Sequence, residues 1–111
     1  MSTRTPFVGG NWKMNTDLVG GVDLAEALGS SLDSDLASCD VLLCPPFPYL
    51  HSVGQVLKNH GVMLGAQNCS DEPDGAYTGQ VSAAMLADLG VEWVIIGHSE
   101  CRHGLAESNE L

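Results

Sequence analysis

Four short strand-like runs alternate with three amphipathic stretches along this chain, and that alternation leaves it few folds. "PFVGGNW" reads as a first strand ending near Gly10. From Asp17 the apolar residues Leu18, Val22, Ala25, Leu28 and Leu32 recur at helical spacing, with Thr16 or Asp17 as the cap. "DVLLCPP" is a continuous apolar run stopped by two prolines, as expected of a buried strand. Leu50, Val53, Val56 and Leu57 predict a second helix closed by Gly61. "VMLGAQ" reads as a third strand, and the polar "NCSDEPDGAYTGQ" as a loop. Ser82 is placed to cap a third helix through Met85, Leu86 and Leu89, ended by Gly90, before a fourth strand, "EWVIIGH". The order βαβαβαβ requires parallel pairing with right-handed crossovers. After His98 come helix signals and no closing strand, so the expectation is a piece of a longer α/β chain.

At 111 residues the chain is the size of one domain. Its formal charge of −10 rests on four fixed cations, Arg4, Lys13, Lys58 and Arg102, too few to grip a nucleic-acid backbone. One lysine beside backbone N–H groups still suffices for a small anion. No apolar run is long enough to span a membrane, and the N-terminus lacks a signal-peptide pattern. Cys39, Cys44, Cys69 and Cys101 form no C-x-x-C pair, which predicts free thiols in a reducing, cytoplasmic setting, with Cys44 buried.

Ligands of parallel α/β proteins gather at the carboxyl ends of the strands. Four stretches fall there: "GNWKMN", "CPPFPYL", "AQNCSDEPDGAYTG" and "GHSECRH". "GGNWKMN" matches neither nucleotide-binding fingerprint. Its two glycines allow a sharp bend, followed by the polar Asn11, Lys13 and Asn15, and Lys13 sits between the bulky Trp12 and Met14. "GHSECRH" is open to four readings. His98, Glu100, Cys101 and His103 carry zinc-ligand atoms, but the H-x-E start lacks the P-C-x-x-C of zinc deaminases. Cys101 has histidines nearby for a thiol nucleophile. His98 can simply bond its own loop. Or it is a neutral donor that polarises a carbonyl and stabilises an enediolate, the uncharged ring being favoured by a helix starting near Ser99. In that reading Lys13 shares the same developing charge.

"FVGGNWKMN", "CPPFPYL", "GAQN" and "DGAYTGQVSAAMLADLGVEWVIIGHSECR", in this order, closely resemble the triosephosphate isomerase family. The resemblance implies a (β/α)8 TIM barrel of about 250 residues, with residues 1–111 as the N-terminal portion of that single domain: four strands and the start of the fourth helix. It implies an intramolecular aldose–ketose isomerase of glycolysis and gluconeogenesis, interconverting dihydroxyacetone phosphate and D-glyceraldehyde 3-phosphate, with no cofactor or metal, in a cytoplasmic homodimer. By motif match, Asn11 and Lys13 bind substrate, Lys13 and His98 are catalytic, and His98 is the neutral electrophile. Ser99 belongs to the pocket floor, and Glu100 matches a glutamate near the lysine. The family's catalytic base, a glutamate on a later loop, lies past residue 111, as do its lid and phosphate-gripping loops; neither Glu100 nor Glu107 takes that role. The loop from Asn68 to Gly79 resembles the family's docking loop, with Thr78 reaching the neighbouring subunit. Gln80 and Cys101 stand where the family has a glutamate and an arginine that can pair across the dimer, a paired loss of charge that predicts a less salt-dependent interface. The rival expectation is a non-catalytic half-barrel that serves only in folding or assembly.

Overall fold

The computed structural model describes residues 4–105 and 107–109. Along the chain run β1 (Phe7–Asn11), α1 (Leu18–Leu32), β2 (Asp40–Cys44), α2 (Leu50–Leu57), β3 (Met63–Ala66), α3 (Ala83–Asp88), β4 (Trp93–Val94) and α4 (Ser99–Gly104). Single 3₁₀ turns occupy Asp35–Ala37 and Phe47–Tyr49. The strands form one sheet in the order β1-β2-β3-β4, parallel throughout. The register sets Asn11 opposite Cys44 and Ala66 opposite Val94, so all four carboxyl ends open on one rim.

Local chemistry fixes the helix ends. Asp17, not Thr16, caps α1: its carboxylate accepts from the Gly20 N–H at 2.7 Å. The Ser82 hydroxyl accepts from Met85 N–H at 3.2 Å and starts α3. Gly61 closes the turn after α2 at φ +73°, a conformation that a Cβ disfavours. The apolar pattern places the buried face of α1: Ala25 is fully buried and Leu28 and Leu32 pack against the core, while Leu18 is 51% exposed. The remaining buried positions on that face are the glycines Gly21 and Gly29. Small residues win because the neighbouring structure comes close: a Cβ on Gly29 would lie 2.5 Å from the His60 ring.

The core lies between the sheet and the helices, built from Ala25, Val41, Leu43, Leu50, Val53, Leu57, Leu64 and Leu86 among others. Residues Val41 to Cys44 are buried without a break, as a strand covered on both faces requires. Leu42 and Cys44 face the concave side. There a Cβ on Gly65 would meet Cys44 Sγ at 2.6 Å and Leu42 Cδ1 at 3.0 Å. The sheet is strongly curled. Phe7 of β1 and Trp93 of β4 bring their ring centroids to 5.1 Å, although three strand spacings of a flat sheet amount to roughly 14 Å. The fourth strand is shorter than "EWVIIGH" suggests. Only Trp93–Val94 is strand, followed by one further bond from Ile95 N–H to the Ala66 carbonyl at 2.9 Å. Its neighbour β3 ends at Ala66, which leaves Ile96 nothing to pair with on that side.

Candidate active site

The first strand leaves the sheet in register: Trp12 N–H donates to the Cys44 carbonyl at 3.1 Å. The sharp bend expected at the two glycines is elsewhere. Gly9 and Gly10 stay in the strand, and the chain turns through Lys13 at φ +58° and Thr16 at φ +81°. A left-handed lysine is strained and needs support from its surroundings. Two side chains give it. The Asn11 side-chain oxygen accepts from Lys13 N–H at 2.9 Å, which leaves the Asn11 NH2 group for other partners. Gln67, just past β3, donates its amide to the carbonyls of Lys13 at 2.7 Å and Cys44 at 2.9 Å. The ends of β1, β2 and β3 are thus tied by one amide.

The fourth strand end turns at Gly97, φ +59°. Arg102 folds back to donate from Nε to the Gly97 carbonyl at 2.8 Å. His98 then acts as the N-cap of α4: its Nδ1 accepts from Glu100 N–H at 3.0 Å. That bond assigns the tautomer. With Nδ1 as an acceptor, the single proton of a neutral ring sits on Nε2. Glu100 Oε1 also lies 3.5 Å from Nδ1, but a carboxylate makes no hydrogen bond with an acceptor nitrogen, and the shorter N–H contact decides. Glu100 Oε2 is 3.5 Å from Lys13 Nζ. Lys13 and His98, far apart in sequence, are therefore separated by one carboxylate on one rim.

Ser99 and Glu100 open α4, both exposed. Thr78 and Gln80 are exposed on the long loop, whose base is pinned by a bond from Ser70 N–H to the Val81 carbonyl at 2.8 Å. Cys101 is half-buried, and His98 Nδ1 is occupied by the Glu100 N–H. Burial pushes the Cys44 thiol up from its ordinary value, which keeps it protonated and unreactive. Among the described residues no three His, Cys, Asp or Glu side chains are grouped to hold a metal ion; His98, Glu100, Cys101 and His103 do not converge. A cleft of about 740 Å³ lies between the long loop and the segment after α4, lined by Tyr77, Gln80, Ile96 and Arg102 among others. Asn11, Lys13 and His98 lie outside it, on the open rim. The sequence reading gave Gln67 no role. Its position directly after the third strand was the available signal.

A curled parallel sheet, helices on its outer side and polar groups at the carboxyl rim define half of a (β/α)8 barrel, its first four strands in order. The family model for triosephosphate isomerase matches residues 6–111. The chain belongs to the triosephosphate isomerase family. It is 46% identical over 108 residues to the triosephosphate isomerase of Phocaeicola vulgatus, covering 97% of this chain and 43% of that protein. The triosephosphate isomerases of Hahella chejuensis and Carboxydothermus hydrogenoformans are each 47% identical over 108 residues, with the same coverage. The chain therefore spans less than half the length of these curated relatives.

Proposed function

We propose that this chain supplies the N-terminal half of a triosephosphate isomerase barrel, an aldose–ketose isomerase acting on dihydroxyacetone phosphate and D-glyceraldehyde 3-phosphate. The observation that carries the proposal is the shared rim: an imidazole with its proton on Nε2 and an ammonium group, one carboxylate apart. Removal of a proton beside a carbonyl puts negative charge on the carbonyl oxygen. A neutral Nε2–H donates to that oxygen and, as the enediolate forms, passes the proton between the two substrate oxygens. The Lys13 ammonium stabilises the same charge and the phosphate. The Asn11 NH2 group, free because its oxygen is engaged, adds a neutral donor. Ser99 floors the pocket, and the proton-abstracting glutamate comes from the other half of the family barrel. The active form is a cytoplasmic homodimer docked through the long loop, with Thr78, Gln80 and Cys101 at the boundary.

The 111-residue chain by itself is inactive in this reading. The Lys13 and Glu100 side chains are 55% and 58% exposed, and a water-filled rim weakens every electrostatic contact. The test is His98→Gln in a full-length barrel carrying this segment. Glutamine cannot relay the proton, and kcat should fall on the order of 100-fold with little change in unfolding. Wild-type turnover in that variant would refute the assignment.

A further inference from the structure

Two kinds of bond hold the backbone around Lys13, and only one of them can place it on the rim. The local kind comes from inside its own turn. The Asn11 side-chain oxygen accepts from Lys13 N–H at 2.9 Å, and Asn15 Nδ2 donates to the Trp12 carbonyl at 2.9 Å. These bonds shape the turn but travel with it. The other kind reaches in from the sheet. Gln67 Nε2 donates at 2.7 Å to the Lys13 carbonyl, 54 positions away in sequence, and at 2.9 Å to the Cys44 carbonyl. Both partners are acceptors, so the amide nitrogen must face them, and both of its protons are used. The Cys44 carbonyl also accepts from Trp12 N–H at 3.1 Å. Trp12 and Lys13 are therefore fastened to the same point at the end of β2, one by backbone and the other through the half-buried Gln67 side chain. The far end of the clamp is equally firm. Gln67 follows Ala66, whose carbonyl accepts from Ile95 N–H at 2.9 Å, three residues before His98. One residue thus links the strand that carries the imidazole to the turn that carries the ammonium group.

We propose that Gln67 is a positioning residue: by clamping the Lys13 carbonyl to the ends of β2 and β3, it holds the left-handed turn that points the ammonium group toward His98. The catalytic consequence rests on the isomerase reading; the clamp does not. A non-glycine residue keeps a positive φ, here +58°, only where its surroundings over-determine it. Without the amide the turn can relax toward an ordinary backbone conformation, and the side chain leaves the same Cα in a new direction. A misplacement of about 1 Å at a reacting centre can cost on the order of 100-fold. Ground-state binding tolerates the shift better, because an ammonium on a flexible stem can follow a phosphate. The charge of an enediolate develops at a fixed place, so the loss should fall on kcat more than on KM.

The test uses a full-length barrel carrying this segment. Gln67→Met keeps the length of the side chain and removes its N–H donors. Its kcat should fall on the order of 10-fold, with KM and the urea midpoint little changed. Hydrogen exchange at the Lys13 amide should quicken on the order of 10-fold as the turn loosens, while the β2 amides keep their protection. Gln67→Glu sets a carboxylate against two carbonyls and should cost more at neutral pH. Its kcat relative to wild type should recover as pH falls through the ordinary carboxylate range, because the acid form regains an O–H donor. Support requires both the kcat loss and the faster Lys13 exchange. Wild-type kcat in Gln67→Met overturns the proposal, and so does unchanged Lys13 exchange, whatever the other readout gives. Activity lost only in proportion to the folded fraction makes Gln67 structural and overturns it too. If Gln67→Met fails to fold, the pH profile of Gln67→Glu decides: recovery at low pH supports the clamp, and a constant ratio overturns it. A wild-type barrel without isomerase activity would sink the isomerase reading, and Lys13 exchange would then still decide the clamp.

Discussion

Glu100 stands 3.5 Å from the Lys13 ammonium and 3.5 Å from the His98 ring, while its own N–H holds Nδ1. The two functions separate by substitution. Glu100→Gln keeps the backbone N–H and so the tautomer, but removes the charge that draws Lys13 toward His98. Both side chains are more than half exposed, so stability should change by less than about 1 kcal/mol. In the full-length barrel kcat/KM should fall on the order of 10-fold, or about 1.4 kcal/mol of transition-state stabilisation. Steady-state assays beside urea unfolding check both. An unchanged kcat/KM would mean that Asn11 and Gln67 place Lys13 without the carboxylate. Lys13 and His98 were legible as motif residues at strand ends. The Gln67 bonds were not, since Gln67 reaches a carbonyl 54 positions away and periodicity carries no trace of that.

The helices show a different division. Their starts were legible because caps are local: Asp17 and Ser82 bond N–H groups three residues on. The face that α1 buries was legible through Ala25, Leu28 and Leu32, but the two glycines in it were not, because the neighbouring structure decides them. The His60 ring lies against Gly29, with Nε2 3.1 Å from Glu26 Oε1 and Nδ1 3.5 Å from Asp33 Oδ1. Gly29→Ala would place a Cβ inside that contact. Helix propensity favours alanine by about 1 kcal/mol, yet overpacking should dominate, with net destabilisation of about 1–3 kcal/mol. The double variant with His60→Ala should recover much of the overpacking term, a coupling that a double-mutant cycle by urea unfolding would read. A stabilised single variant would show that the ring yields.

For the whole molecule, one buried thiol contributes to alkaline stability. Burial in the sheet raises the Cys44 value above the ordinary 9.0. Above pH 9.0 the unfolded chain loses this proton first and the folded chain retains it. Unfolding then releases a proton, and stability falls as pH rises from 9.0 through the raised native value. Below that window the thiol contributes no slope. Urea unfolding at about pH 8 and about pH 10, the two sides of the ordinary thiol range, should show a drop that Cys44→Ala flattens, whatever that variant's baseline. Equal slopes would place the effect elsewhere. By itself the sequence determined the element order, the parallel direction, the Ser82 cap and the rim on which Asn11, Lys13 and His98 lie, since all of these follow from local periodicity and backbone chemistry. Only the tertiary structure decided that Glu100 joins Lys13 to His98, that Gln67 braces a left-handed lysine, and that Phe7 meets Trp93. Those contacts depend on how tightly the sheet curls, a property of all four strands together.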